Sequence, residues 1–268
     1  MLKDILVHMD RGVGCTARLM AAIDLARRHH ARLKGVYVIT HPHYASSSDY
    51  LADFSQVREF FINATSKANV LAEWQLVDWN IVGTPLHSVV TSFAYHTDLL
   101  LVGQPAYLHK RTKCLEYHEH LLLASGRPVV VFPAQGEIFK FGERITVAWK
   151  GGRESTRAVH DALPLLQAAE QVTLVAIITE NRAEQLREKQ SLTAMLDHLQ
   201  QHGVQAASAT VPLGRNSIAD VLLPYAVQEK TDLLIVGAFA YKSNRAPFLS
   251  PLTRELLIQA NIPLLISH

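Results

Sequence analysis

The six residues Asp98-Leu99-Leu100-Leu101-Val102-Gly103 return as Asp232-Leu233-Leu234-Ile235-Val236-Gly237, half the length of the 268-residue chain further on. Each copy is a short apolar run opened by an acid and closed by glycine, the pattern of a strand buried on both faces of a parallel sheet. A strand of that kind needs covering helices and a long crossover to its parallel neighbour, which confines each half of the chain to an α/β architecture. In open α/β sheets ligands bind outside the carboxyl ends of the strands, so the two glycines mark where a site is expected. The two acids stand at the opposite ends and read as caps on the strand starts, with no chemistry of their own.

The sequence on either side repeats in the same order. Residues 5–10 predict a first strand ending at Asp10, followed by a glycine-bearing turn with Thr16 as N-cap. Leu19, Met20, Ile23 and Ala26 then recur at helical spacing over 17–30. A second strand is predicted over 33–40, a helix over 54–74 with Val57, Phe60, Phe61 and Ala64 on one face, and a third strand over 74–82. Gly83-Thr84-Pro85 turns into a helix over 86–96, and a further helix within 104–125 precedes a last strand over 128–133. After a polar linker over 133–142, residues 145–150 answer 5–10, with Lys150 in the place of Asp10. A helix over 185–202 should turn Leu186, Leu192, Met195 and Leu199 inward, and a strand over 262–266 completes the second copy. Five strands per copy predict an internal duplication, with one domain over 1–135 and another over 143–268.

Composition narrows the classes of function. Hydrophobic residues make up 49% of the chain and charged ones 19%, which is globular. A net charge of +2 gives no reason to expect a phosphate-backbone partner, so no nucleic acid is expected. No apolar run approaches the roughly 20 residues of a membrane helix, and neither a leader nor a membrane partner is expected. Two cysteines, Cys15 and Cys114, argue for a reducing, cytoplasmic setting.

The strand ending at Asp10, the Asp98 and Asp232 strands with their closing glycines, and the final strands headed by Pro128 and Pro263 together resemble the universal stress protein family in its tandem two-domain form. The resemblance spans nearly the whole chain. It implies two repeated five-stranded parallel-sheet domains of the adenine-nucleotide α-hydrolase type, strand order 3-2-1-4-5, paired within the chain through their last strands as a pseudo-dimer. A homodimer of whole chains is a further expectation. The resemblance also implies a stress-response role and, in members that bind ATP, the motif G-x2-G-x9-G-[ST] after the fourth strand. In such a motif the first glycines admit ribose and phosphate to the backbone, and the last opens a helix whose N–H groups hold phosphate.

This sequence keeps one motif glycine per half. Gly103 is followed at the motif positions by Ala106, Glu116 and Tyr117, and a glutamate there opposes phosphate. Gly237 is followed by Ala240, Ser250 and Pro251, with Thr253 beyond; Ser250 at N-cap and Pro251 at N1 predict a well-started helix. Ser250 and Thr253, with Lys242 or Arg245, form a candidate anion site. At the adenine end the resemblance points to Asp10 and to the aliphatic residues Val38 and Ile177. The candidate ligand-binding residues are therefore Asp10, Val38 and Gly103 in the first half and Ile177, Gly237, Ser250 and Thr253 in the second. The cofactor expectation is ATP or AMP on a degenerate site, or none.

Asp10 has two readings of equal weight, a ligand contact and a cap on the following turn. Lys150, beside Gly151-Gly152, reads as a solvated lysine ahead of an anion contact. His41, His43, His109, His118 and His120, with Cys15 and Cys114, gather by topology on the carboxyl side of the first half. Their spacing fits no standard zinc motif, so no metal site is assigned. No nucleophile–base–acid arrangement has local support, and no catalytic residue is named. The leading expectation is a regulatory module that binds an adenine nucleotide or other small anion. A nucleotide-free dimerisation and interaction scaffold comes second, and a weak ATP hydrolase last, because fold alone carries no chemistry.

Overall fold

A computed structural model describes the chain except residues 40–46, 79–85, 106–111, 135–139, 239 and 242–247, and except the side chains of 47–53, 112–114, 240 and 241. The predicted turn at Gly83, and His41, His43, His109, Lys242, Arg245 and the Cys114 side chain, lie outside the described residues. The chain divides into two compact units, Met1–Glu137 and Ile138–His268.

The first unit runs β1 (Asp4–Met9), α1 (Cys15–His29), β2 (Arg32–Ile39), α2 (Ser47–Lys67), β3 (Ala72–Asp78), α3 (Leu86–Ala94), β4 (Leu99–Gly103), α4 (Thr112–Ala124) and β5 (Val129–Phe132). Its strands lie in the order β3-β2-β1-β4-β5, all parallel. The second unit runs β6 (Arg144–Ala148), α5 (Arg153–Leu166), β7 (Gln171–Ile178), α6 (Arg182–Gln201), β8 (Ala206–Pro212), α7 (Ile218–Gln228), β9 (Leu233–Gly237), α8 (Pro251–Gln259) and, last, β12 (Leu264–Ser267). Two short strands, β10 (Ala240–Tyr241) and β11 (Phe248–Leu249), pair antiparallel between β9 and α8. The main strands lie in the order β8-β7-β6-β9-β12, again parallel, so both units have the 3-2-1-4-5 order that the family resemblance implies.

Registers repeat as closely as the sequence does. Ile5 faces Leu99 and Val7 faces Leu101 in the first unit; Ile145 faces Leu233 and Val147 faces Ile235 in the second. Leu99, Leu100, Leu101 and Val102, and Leu233, Leu234, Ile235 and Val236, are buried throughout. Burying each such side chain stabilises by about 1.5–3 kcal/mol, which explains why these two runs outlast changes in the loops around them. Their opening acids cap the starts of the first strands. The Asp98 carboxylate accepts from the N–H groups of Lys3 (2.6 Å) and Asp4 (3.0 Å). The Asp232 carboxylate accepts from Gly142 (2.9 Å), Glu143 (3.0 Å) and Arg144 (3.1 Å). Burial nevertheless pushes the Asp232 carboxyl above the usual carboxylate range, against these hydrogen bonds.

Several local expectations change. Helix α1 starts at Cys15, with Gly14 as N-cap and no side-chain cap, so Thr16 lies inside the first turn. Met20, Phe60 and Leu186 share the helical period of the core residues yet are exposed, at the edges of their faces. Helix α2 starts at Ser47 and ends before β3, which begins two residues ahead of Trp74. Gly35 on β2 sits under Phe61, where an added Cβ would lie 2.7 Å from the ring, so the loss of a side chain there admits an aromatic to the sheet.

Candidate functional site

In the first unit the carboxyl ends of β1 and β4 are joined by an ion pair. Arg18, on the first turns of α1, is 1% exposed and points back over the sheet. Its Nη2 lies 2.7 Å from Asp10 Oδ2, and its Nε donates to the His8 carbonyl at 3.0 Å. Asp10 Oδ1 accepts from the Gly12 N–H at 2.7 Å, the short side-chain-to-backbone bond that closes such a turn. A Cβ on Gly103 would fall 2.5 Å from Arg18 Nη1 and 3.5 Å from Asp10 Oδ2. Asp10 and Gly103 are therefore brought together as the sequence suggested, with a guanidinium between them. Val38 is buried on β2, one position past Tyr37, whose register partner is Met9.

Helix α4 closes the same end. His118 is buried, and its Nε2 lies 2.7 Å from the Gly103 carbonyl, which accepts. Tyr117, at a motif position of the resemblance, packs on His8 with ring centroids 5.9 Å apart and its hydroxyl 3.4 Å from His8 Nδ1. Burial pushes the Tyr117 phenol well above its ordinary range and pushes the His8 imidazole down to about 4. Cys15 is free and buried, and that burial raises its thiol. A neutral imidazole, a neutral phenol and an internally paired guanidinium make an end that holds itself together.

The second unit keeps the closing glycine but differs at the charged positions. Trp149 and Lys150 follow β6 where Met9 and Asp10 stand in the first unit, and Ala158 stands where Arg18 does. A cavity of about 130 Å³ opens at the carboxyl ends of β6, β7 and β9. Ile177, Gly237 and Thr253 line it, together with Trp149, Lys150 and Ser155 from the β6–α5 corner, Glu184 and Glu188 from α6, and apolar side chains of α7 and α8. Trp149 Nε1 donates to Ser191 Oγ at 3.0 Å, which fixes the indole. Glu184 accepts from the Thr179 hydroxyl at 2.6 Å, and Glu188 lies 3.4 Å from the Gly151 N–H. Lys150 is exposed and, among the described residues, makes no ion pair.

Gly237 serves a packing role as well as lining the cavity. A Cβ there would lie 2.5–2.7 Å from the backbone of Glu154 and Ser155, so the first turn of α5 sits directly on it. Ser250 is the N-cap of α8 as expected. Its Oγ accepts from the Thr253 N–H at 3.2 Å and lies 3.0 Å from Thr253 Oγ1, both side chains being buried. Of the second-half candidates, Ile177, Gly237 and Thr253 meet in the cavity, and Ser250 stands behind Thr253 as its cap. Sequence reasoning missed Trp149, Glu184, Glu188, Leu213 and Leu222. The Trp149-Lys150 replacement was the one signal that could have pointed there.

No protein-family profile matches the chain, and no curated protein matches it in sequence. Solved structures do. A universal stress protein from Archaeoglobus fulgidus is 13% identical with a TM-score of 0.73, over 98% of this chain and 97% of that one. A universal stress protein from Pseudomonas aeruginosa is 14% identical with a TM-score of 0.65, over 99% and 93%. The cytoplasmic domain of a prokaryotic cation chloride cotransporter is 12% identical with a TM-score of 0.54, over 99% and 95%. The chain is thus a duplicated, parallel-sheet α/β protein. Its fold is that of the tandem universal stress proteins. No described helix is long and apolar enough to cross a membrane.

Proposed function

We propose that this chain is a tandem universal stress protein of the cytoplasm, a regulatory binding protein whose ligand enters the second unit. The cavity at the ends of β6, β7 and β9 carries the proposal. Its volume of about 130 Å³ is close to the ~150 Å³ in which an apolar cavity takes up benzene, so it suits one ring system. A ring seats among Trp149, Ile177, Leu213 and Leu222, and Lys150 offers one ammonium to an anionic group at the mouth. Glu184 and Glu188 on the same wall oppose a polyphosphate. The ligand is a ring-bearing small anion, a mononucleotide such as AMP ahead of ATP.

A second reading belongs to the first unit, which we assign to the scaffold. Arg18 already occupies the space between Asp10 and Gly103, and the charge it brings is neutralised internally. Pairing of the two units through their last strands, and of two chains as a homodimer, belongs with this reading; light scattering on the purified protein counts the chains.

Heat-denaturing the purified protein and identifying what it releases by mass spectrometry tests the ligand. Separately, AMP at a hundred times its Kd should stabilise the native state by about 2.7 kcal/mol, read as a rise in Tm. Leu222→Trp, which fills the cavity, should abolish the rise. If nothing is released and millimolar AMP, ATP and small aromatic carboxylates all leave Tm unmoved, the ligand reading is wrong and the scaffold reading stands for both units.

A further inference from the structure

The corner between β7 and α6 holds one carboxylate of the cavity wall in a fixed place. Asn181, the N-cap of α6, accepts on its side-chain oxygen from the N–H groups of Ala183 at 3.0 Å and Glu184 at 3.3 Å, which sets the first turn. The Thr179 hydroxyl donates to Glu184 Oε2 at 2.6 Å and accepts from the Asn181 N–H at 3.3 Å, so its proton is already committed. Gln185 ties the strand end to the helix again, its Nε2 donating to the Thr179 carbonyl at 2.8 Å. Glu184 and Thr179 both line the cavity. Among the described residues Glu184 forms no ion pair, and its second oxygen, Oε1, has no hydrogen-bond partner.

The rest of the wall gives that oxygen its meaning. Trp149 spends its one side-chain donor on Ser191, and the side chains of Ile177, Leu213 and Leu222 have none. At the β7–α6 corner the cavity therefore presents an acceptor with no free donor beside it. A carboxylate accepts and does not donate, so a ring edge that brings a carbonyl oxygen there is repelled. An edge that brings an N–H makes a charge-assisted hydrogen bond instead. Lys150, after β6, requires the opposite partner, because an ammonium only donates. Glu188 stands 3.4 Å from the Gly151 N–H, close to that lysine and away from the corner. The two demands give a bound molecule its direction, with its N–H toward α6 and its anionic group toward β6.

We propose that Glu184 determines the specificity of this cavity, selecting a nitrogenous ring that carries an amino group at its edge over the same ring without one. The inference rests on the reading of the cavity as the seat of a ring-bearing anion. Thr179 acts as a positioning residue, since its hydroxyl aims the carboxylate. Hydrogen bonds to a charged group that is only partly withdrawn from water discriminate by about tenfold or more.

Calorimetric titration of the full chain with AMP and with purine riboside monophosphate, the same nucleotide without its amino group, tests the assignment. AMP should bind about tenfold or more tighter. Glu184→Met should bring AMP down to the affinity of the amine-free nucleotide and leave the latter unchanged, whereas Glu188→Gln should keep the preference. If the wild-type chain binds neither nucleotide, the ring reading of the cavity falls and the role of Glu184 with it. If the wild type binds both equally, or the preference survives Glu184→Met, or that variant weakens both alike, the role of Glu184 alone is overturned.

Discussion

The two units share a sheet order, a register and two nearly identical central strands, yet their carboxyl ends are built on opposite principles. In the first, Asp10 and Arg18 form a pair over Gly103, with Arg18 1% exposed. In the second, the same two positions hold Lys150 and Ala158, and a cavity stands nearby. Without Asp10 the Arg18 guanidinium would be buried without a charged partner, so the arginine depends on the acid. Loss of both removes a large side chain along with its charge. What remains is space.

The largest effect should come from breaking that pair on one side. Asp10→Ala leaves the Arg18 guanidinium buried and unpaired and should cost about 3 kcal/mol, the low end for a broken buried pair because Asp10 is one-third exposed. Urea unfolding measures it. Adding Arg18→Met to Asp10→Ala should return most of the loss. Wild-type stability in Asp10→Ala would mean that the pair does not hold this end of the sheet.

A smaller effect separates the units by pH. The first has His8 on β1 and the second has Ala148 at the matching place. Burial, helped by Arg18 and His118 and opposed by Asp10, brings the His8 imidazole to about 4. An unfolded histidine titrates near ~6.5, so the unfolded chain binds the proton first. Stability is therefore complete above about pH 6.5 and falls as pH drops toward 4, by about 1–3 kcal/mol. His8→Ala, which imitates the second unit, should flatten Tm against pH across that window; an unchanged slope would place the acid-sensitive group elsewhere.

The smallest contrast lies in the helix starts. Ser250→Ala removes the cap on the Thr253 N–H and should cost about 1 kcal/mol. Thr16→Ala should cost only about a few tenths of a kcal/mol, because the N-cap of α1 is Gly14 and no side chain caps the helix. Equal losses in denaturant titrations would contradict the assignment of both helix starts.

The sheet was legible because two strands buried on both faces leave so little choice of residue that duplication survives in them. Ser250 and Pro251 were legible for a local reason, since a cap and its helix are neighbours in sequence. Arg18 was not: a basic residue early in an amphipathic helix reads as solvated, and only the fold turns it back over Gly103. The cavity was half legible. Ile177, Gly237 and Thr253 follow from the strand order, whereas Glu184, Leu213 and Leu222 come from a helix, a loop and another helix that meet only in three dimensions. Met20, Phe60 and Leu186 fit the helical period and still face solvent, because periodicity gives a face its direction but not its width. The β10–β11 pairing, two residues on each side, is too short to leave any pattern.

The aspartates that open β4 and β9 have a consequence for synthesis. In the first unit the Asp98 clamp joins residues 94 and 95 positions apart, and in the second the Asp232 clamp joins residues 88 to 90 apart. Strand β1 lies at the middle of its sheet, between β2 and β4, so it is made first and fixed late. While the chain leaves the ribosome, one flank of β1 and the backbone amides at its start wait for Asp98 to emerge. The duplicated unit therefore meets the same delay twice in one translation, and the first unit can close before the second has a fourth strand with which to compete for the open edge.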